Sequence, residues 1–319
     1  MDVFQADLAA YADWWLVGGR KPRAQSTLAE YQRHIRHWWA WTTESQQTCS
    51  TTPTVRGVNA YIRVLRQRNE HAVVGFVRAI KSWCLWLIDD GAITEDPLAT
   101  LAFVKSPKPD PANTPVADDL SIEAQLATCD TSMEGQRDRA IIMVLRDTGM
   151  RRGELALMTW DNLDLQGATV YLPNENTKSN VGRRVGIEVD TVRSIHRYRR
   201  ALLEWENKNA RYPCERVWVG RLGPMSSNGI GQMLHRRSEE ACVRAPAHSY
   251  RRGLATKWLA AGGSETNLMR IAGWSTPVMI ARYTATNAEV EAIEAQRTFN
   301  ASQRASQRRR AVRTAPTLE

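Results

Sequence analysis

The chain has 319 residues, 43% of them hydrophobic, which exceeds the usual size of one core and leads to an expectation of two domains. Its 43 Lys and Arg against 34 Asp and Glu give a formal charge of +9, pointing to a polyanionic partner, nucleic acid or an acidic membrane surface. The longest conspicuous apolar run, residues 140–145, is far shorter than the ~20 residues of a spanning helix, and the start lacks the basic region of a signal peptide, so a cytoplasmic protein with no membrane partner is expected. Cys49, Cys84, Cys129, Cys214 and Cys242 are odd in number and hold no Cys-x-x-Cys pair, which suggests neither a disulfide framework nor a zinc cluster.

Up to residue 105 the pattern is helical. Apolar residues at helical spacing run from Phe4 to Leu16 and stop at Gly18-Gly19. Thr27-Leu-Ala-Glu30 reads as a capping box opening a helix through Tyr31, Ile35, Trp38, Trp39 and Trp41. A third helix is expected over Val55 to Arg68 and a fourth over Ala72 to Ile88. Seven of the 12 tryptophans fall in this third of the chain, and core packing accounts for most of them. Interleaved Arg33, Arg36, Arg63, Arg66, Arg78 and Lys81 offer either a solvated face or one that contacts phosphates. Residues 106–115 carry four prolines in ten positions, which sustain neither a helix nor a central strand and predict an extended linker.

Beyond the linker the pattern is mixed. A helix from about Gln136 carries residues 140–145 and ends at Thr148-Gly149, the glycine acting as a left-handed stop. Strands are expected over Ala168 to Leu172 and Arg184 to Val189, forming a hairpin with Lys178 near its loop. Helices follow over Thr191 to Asn207 and Tyr250 to Ala261. A further helix opens at Pro277, behind the capping hydroxyls of Ser275-Thr276, and places Tyr283 two turns inside it. The tail, Arg297 to Glu319, is rich in arginine and poor in apolar anchors, so partial disorder is expected there.

Six residues in the last half, Arg151, Lys178, His248, Arg251, Trp274 and Tyr283, make up an inventory for cutting a phosphodiester with a phenol. Two guanidiniums suit the charge that builds on the non-bridging oxygens. Deprotonating a tyrosine of pKa near 10 at pH 7 costs about 4 kcal/mol, which a cationic pocket offsets. The sugar hydroxyl leaves poorly unless protonated, a role open to Lys178, while His248 can accept the phenol proton or donate to phosphate. Taken singly, each has an ordinary reading: a packing tyrosine, a solubilising lysine, a structural histidine.

Order and spacing make the set specific. Thr148-Gly149-Met150-Arg151-Arg152-Gly153-Glu154-Leu155 resembles the first arginine motif of the tyrosine recombinase (phage integrase) family, Thr-Gly-x-Arg-x-x-Glu-Leu. His248-Ser-Tyr-Arg251 resembles its second motif, and Ala272-Gly273-Trp274-Ser275-Thr276 with Tyr283 ten positions after the glycine resembles its third. The resemblance implies Arg151 and Arg251 as phosphate-binding arginines, Glu154 as their buried acidic support, Tyr283 as nucleophile, and Lys178 on the hairpin as general acid. Trp274 stands where most members carry histidine, and Arg252 where many do. An indole donates one hydrogen bond but exchanges no proton near neutrality, so Trp274 is expected to position phosphate.

The implied fold is mainly α with a small antiparallel β-hairpin or sheet: a helical core-type DNA-binding domain over residues 1–105, linker 106–115, an α+β catalytic domain over 116–296 and a basic tail over 297–319. The implied activity is site-specific recombination through a 3′-phosphotyrosyl intermediate, without metal, ATP or other cofactor. The partners implied are double-stranded DNA at recombination sites, a homo-tetramer on paired sites and a directionality factor. Phage integration and excision is the preferred role, in a compact form lacking an arm-binding domain. The alternatives are a Xer-like dimer resolvase, a type IB topoisomerase, or a non-catalytic DNA-binding relative.

Overall fold

The computed structural model describes residues 3–18, 25–45, 51–68, 70–102, 104, 114–177, 181–209, 214–280, 293 and 296–304. The chain divides into two compact units, Met1–Pro109 and Asp110–Glu319.

The first unit is helical: α1 Val3–Asp13, α2 Gln25–Glu44, α3 Val55–Arg68 and α4 Glu70–Asp89. A π turn, Trp14–Gly18, follows α1 where an unbroken helix to Leu16 was expected, and Trp14 Nε1 donates to Asp89 Oδ2 at 3.0 Å. Helix α2 begins two residues before Thr27, so Thr27 lies inside it and the anticipated capping box is absent. The core is aromatic. Tyr11, Phe76, Ile80 and Trp83 are fully buried, Tyr11 donates to Ser82 Oγ at 2.9 Å, and Phe4 stacks on Trp39 with ring centroids 4.4 Å apart. Arg33, Arg36, Arg63, Arg66 and Arg78 are all exposed, while Lys81 is half-buried.

The second unit is built on α6, Met133–Thr148. Ser132 caps it by accepting from the Gly135 N–H, so the helix starts three residues before Gln136. Ala140, Ile141, Ile142, Val144 and Leu145 are all at 0% exposure, as a helix surrounded by partners requires. Around it lie α5 Asp119–Ala127, α7 Arg152–Ala156, α8 Val189–Lys208, α9 Ser227–Glu240, α10 Ala247–Ala260 and α11 Glu265–Ala272. Helices α5, α7, α9 and α11 were not anticipated. A helical turn begins again at residues 278–280, with Ile280 N–H on the Pro277 carbonyl. Residues 296–304 include a helix, and the rest of the tail, over which partial disorder was expected, lies outside the described residues.

Strands β1 Leu163–Asp164, β2 Thr169–Leu172 and β3 Arg183–Gly186 form an antiparallel sheet in that order, with Val170 opposite Val185. A second ribbon pairs β4 Val219–Gly220 with β5 Gly223–Pro224. The hairpin strands are shorter than expected for two local reasons. Ala168 sits at φ 48°, outside the extended region, and the Glu188 N–H is taken by Asp147 Oδ2 at 2.8 Å, which turns the chain into α8. No helix among the described residues is long and apolar enough to cross a membrane.

Candidate functional site

The first arginine motif lies at the junction of α6 and α7. Gly149 ends α6 in the left-handed region, φ 53°, its N–H on the Leu145 carbonyl. A Cβ there would stand 2.9 Å from Leu254 Cδ2 and 3.2 Å from Arg251 Cα, so glycine is required both by conformation and by the approach of α10. Arg151 then occupies the N-cap of α7 in extended geometry, and its N–H donates to Glu154 Oε2 at 2.9 Å. The arginine folds back on the same carboxylate, Nη1 to Oε1 at 2.8 Å, while about a quarter of its side chain (28%) stays open to solvent. Arg152 diverges from it, donating to Ser227 Oγ at 3.0 Å.

Helix α10 carries the second motif. His248 and Arg251 lie three residues apart on it, so they share a face. Arg251 is 2% exposed. It donates through Nη1 to the Gly149 carbonyl at 3.1 Å and through Nη2 to the Ala272 carbonyl. Burial and then the charges of Arg252, Arg251 and Arg151 pull the His248 imidazole down to about 4, although its surface edge is exposed. Both causes favour the neutral imidazole, the form with a free ring nitrogen. Arg252 also donates to the Pro115 carbonyl at 3.1 Å.

The third motif follows α11. Gly273, φ 64°, ends that helix, and Trp274 is tethered by its N–H on the Met269 carbonyl at 2.9 Å. Its indole packs with Ala255, Leu268, Ala272 and Ile280, and the Arg251 guanidinium carbon sits 5.1 Å from its ring centroid. Trp274 thus sets a buried ring face beside the Arg251 guanidinium.

The described residues therefore gather Arg151, Glu154, His248, Arg251 and Trp274 at one place. Tyr283 and Lys178 lie outside the described residues. One participant went unanticipated: Arg183, on β3, its side chain 7% exposed, which donates to both oxygens of Glu154, Nη2 to Oε2 at 2.7 Å and Nη1 to Oε1 at 3.3 Å. Period-two alternation held the signal, because Arg183 shares a strand face with the buried Val185 and Ile187, and a buried arginine must be paired. Burial alone would push the Glu154 carboxyl up. The hydrogen bond and charge of Arg183, then the bonds from Arg151, more than reverse this and hold it below the usual carboxylate range.

A family model described as the phage integrase family matches residues 118–289, more than half of the chain. The chain belongs to the phage integrase family. Among its curated relatives, the tyrosine recombinase XerC of Xanthomonas axonopodis pv. citri (strain 306) is 24% identical over 268 residues, 78% of this chain and 82% of that protein. The tyrosine recombinase XerC 2 of Ralstonia nicotianae is 28% identical over 203 residues, and there the match spans 62% of this chain but only 56% of the relative. The fold is similar to that of lambda integrase, solved as a dimer bound to a core site, with TM-score 0.61 at 14% identity, over 86% of this chain and 94% of that one. The Tn1549 transposon integrase in complex with circular intermediate DNA gives TM-score 0.59 at 15% identity, over 87% and 94%. A lambda integrase tetramer bound to a Holliday junction gives TM-score 0.62 at 14% identity, over 88% and 76%. Family membership rests on the sequence match, and the fold shared with these integrases agrees with it.

Proposed function

We propose that the chain is a site-specific DNA recombinase that cuts and rejoins double-stranded DNA through a 3′-phosphotyrosyl intermediate on Tyr283. The observation that carries this reading is the meeting of Arg151, Glu154, Arg251 and His248, with Gly149 accepting from Arg251 two residues before Arg151 and His248 one turn before Arg251 on the same helix. A phosphodiester bound there has its non-bridging oxygens facing Arg151 and Arg251, whose charge grows in value as negative charge builds during attack. The Tyr283 phenol oxygen forms the bond to phosphorus, and its proton passes to the neutral His248. The bond from phosphorus to the 5′ oxygen breaks, and Lys178 protonates that oxygen. The exchange is reversible transesterification, since one phosphodiester replaces another. The free 5′-hydroxyl of a partner duplex attacks the adduct and releases Tyr283. Glu154 fixes Arg151, and Trp274 backs Arg251.

The first unit, residues 1–105 with the linker 106–115, serves as the core-type DNA-binding domain, and its exposed arginines supply backbone contacts. Residues 116–296 form the catalytic domain and 297–319 a basic tail. Four protomers act on two paired sites in the bacterial cytoplasm, with a directionality factor biasing the outcome. Integration and excision of a mobile element is the role we favour, supported by the matching family and by the fold shared with lambda and Tn1549 integrases. A Xer-like role on host replicons is the second reading, favoured by the curated relatives named XerC and XerD.

The test is to recover DNA covalently held by the protein in cells, and to sequence both it and the joints formed. Joints between a mobile element and the host chromosome support the favoured role. Joints between identical sites on one replicon support the Xer-like reading. Absence of any covalent DNA contradicts both.

A further inference from the structure

Glu154 has room for about four hydrogen bonds on its two oxygens, and all four are filled. Two come from Arg151, the backbone N–H at 2.9 Å and Nη1 at 2.8 Å. Two come from Arg183, Nη2 at 2.7 Å and Nη1 at 3.3 Å. The carboxylate is 2% exposed, so no water can replace a lost partner without rearrangement. A single buried negative charge is therefore shared between two guanidiniums. If Arg183 were absent, Glu154 would neutralise Arg151 alone and draw it away from a phosphate.

The same guanidinium reaches a third segment. Arg183 Nε donates to the Ile271 carbonyl at 2.8 Å, in the last turn of α11, and the next carbonyl, Ala272, accepts from Arg251. Two cations thus hold the negative end of α11 immediately before the turn that delivers Trp274. Gly273 in that turn lies against Arg183: a Cβ added there would stand 3.0 Å from Arg183 Nη1. Arg183 itself opens β3, five residues after Lys178 in the chain. Hairpin, first arginine motif and third motif meet on one planar group, whose fork geometry lysine cannot reproduce.

We propose that Arg183 is a positioning residue for phosphodiester cleavage, sharing the charge of Glu154 so that Arg151 stays available to the scissile phosphate and tying the hairpin to the turn before Trp274. This rests on the recombinase reading above. Arg183 touches no reacting atom in this account. It acts through Arg151.

The probe is a nicked duplex carrying the site recovered from cells, on which cleavage traps the covalent complex. Wild type must first form that complex, and failure there contradicts the recombinase reading itself. With wild type active, Arg183→Gln is expected to slow covalent complex formation by roughly 10–100-fold, as loss of an orienting partner does elsewhere, while affinity for the uncut duplex changes less than threefold or so. Arg183→Lys, which keeps the charge but not the fork, is expected to fall between Arg183→Gln and wild type. In an Arg151→Ala background, Arg183→Gln should add little further loss, because its effect passes through Arg151. Overturning results are a full-rate Arg183→Gln, or a loss in the Arg151→Ala background as large as in wild type. If Arg183→Gln does not fold, the Arg183→Lys rate and its behaviour with Arg151→Ala decide the matter by the same criteria.

Discussion

His248 lies three residues before a buried arginine, and burial, then the charges of Arg252, Arg251 and Arg151, lower its pKa. With a folded value of about 4 and an unfolded value near 6.5, the unfolded state binds a proton in that interval and the folded state does not. Its contribution to stability therefore rises with pH across the window and is fully present above it. Denaturation midpoints at pH 4.5 and 7 should differ less in His248→Gln than in wild type; equal differences would contradict the assignment. Gly273 gives a second prediction at this scale. With φ at 64° and Arg183 against its face, Gly273→Ala should cost about 1–2 kcal/mol in chemical denaturation, and an unchanged midpoint would refute that. The motif spacing picked out Arg151, Glu154, His248 and Arg251, which the fold brings together. It passed over Arg183, because two adjacent arginines read alike until the strand's pleat turns Arg183 inward and leaves Arg184 exposed. Trp274 was legible as a position but not as a buried buttress, since burial is decided by α10 and α11 packing around it.

Elements with strong internal signals were the legible ones. Helix α6 joins a capping serine, an apolar centre and a left-handed glycine, and hairpin β2–β3 shows β-rich runs on either side of a polar stretch. Helices α5, α7, α9 and α11 were missed for other reasons. Helix α7 is a single turn of five residues, and α9 contains Gly229 and Gly231, which weaken its propensity. Helix α11 had legible ends, Ser264 and Gly273, but its short span carries little periodicity of its own. Because α6 is covered on every side, its centre should tolerate truncation poorly. Ile142→Ala removes a side chain at 0% exposure and is expected to cost about 2–5 kcal/mol, read as a shift in denaturation midpoint. A shift within a few tenths would show that α6 is not the spine of this unit.

At the scale of the molecule, composition and the proline-rich stretch pointed to two domains, and the chain divides into units with separate cores, one aromatic and helical, the other assembled on α6. What no composition could convey is that the second unit draws three distant motifs together through two arginines, Arg183 on Glu154 and the Ile271 carbonyl and Arg251 on the Gly149 and Ala272 carbonyls. That convergence supports the proposed tyrosine nucleophile, because a cluster of fixed cations lowers the cost of a phenolate near neutral pH. The account stands or falls on Tyr283. The most direct measurement incubates wild type and Tyr283→Phe with the nicked duplex and resolves protein–DNA adducts under denaturing conditions. Wild type should give a covalent band, while Tyr283→Phe should bind the duplex with near-native affinity and give none. A covalent band of undiminished intensity from Tyr283→Phe would contradict the mechanism.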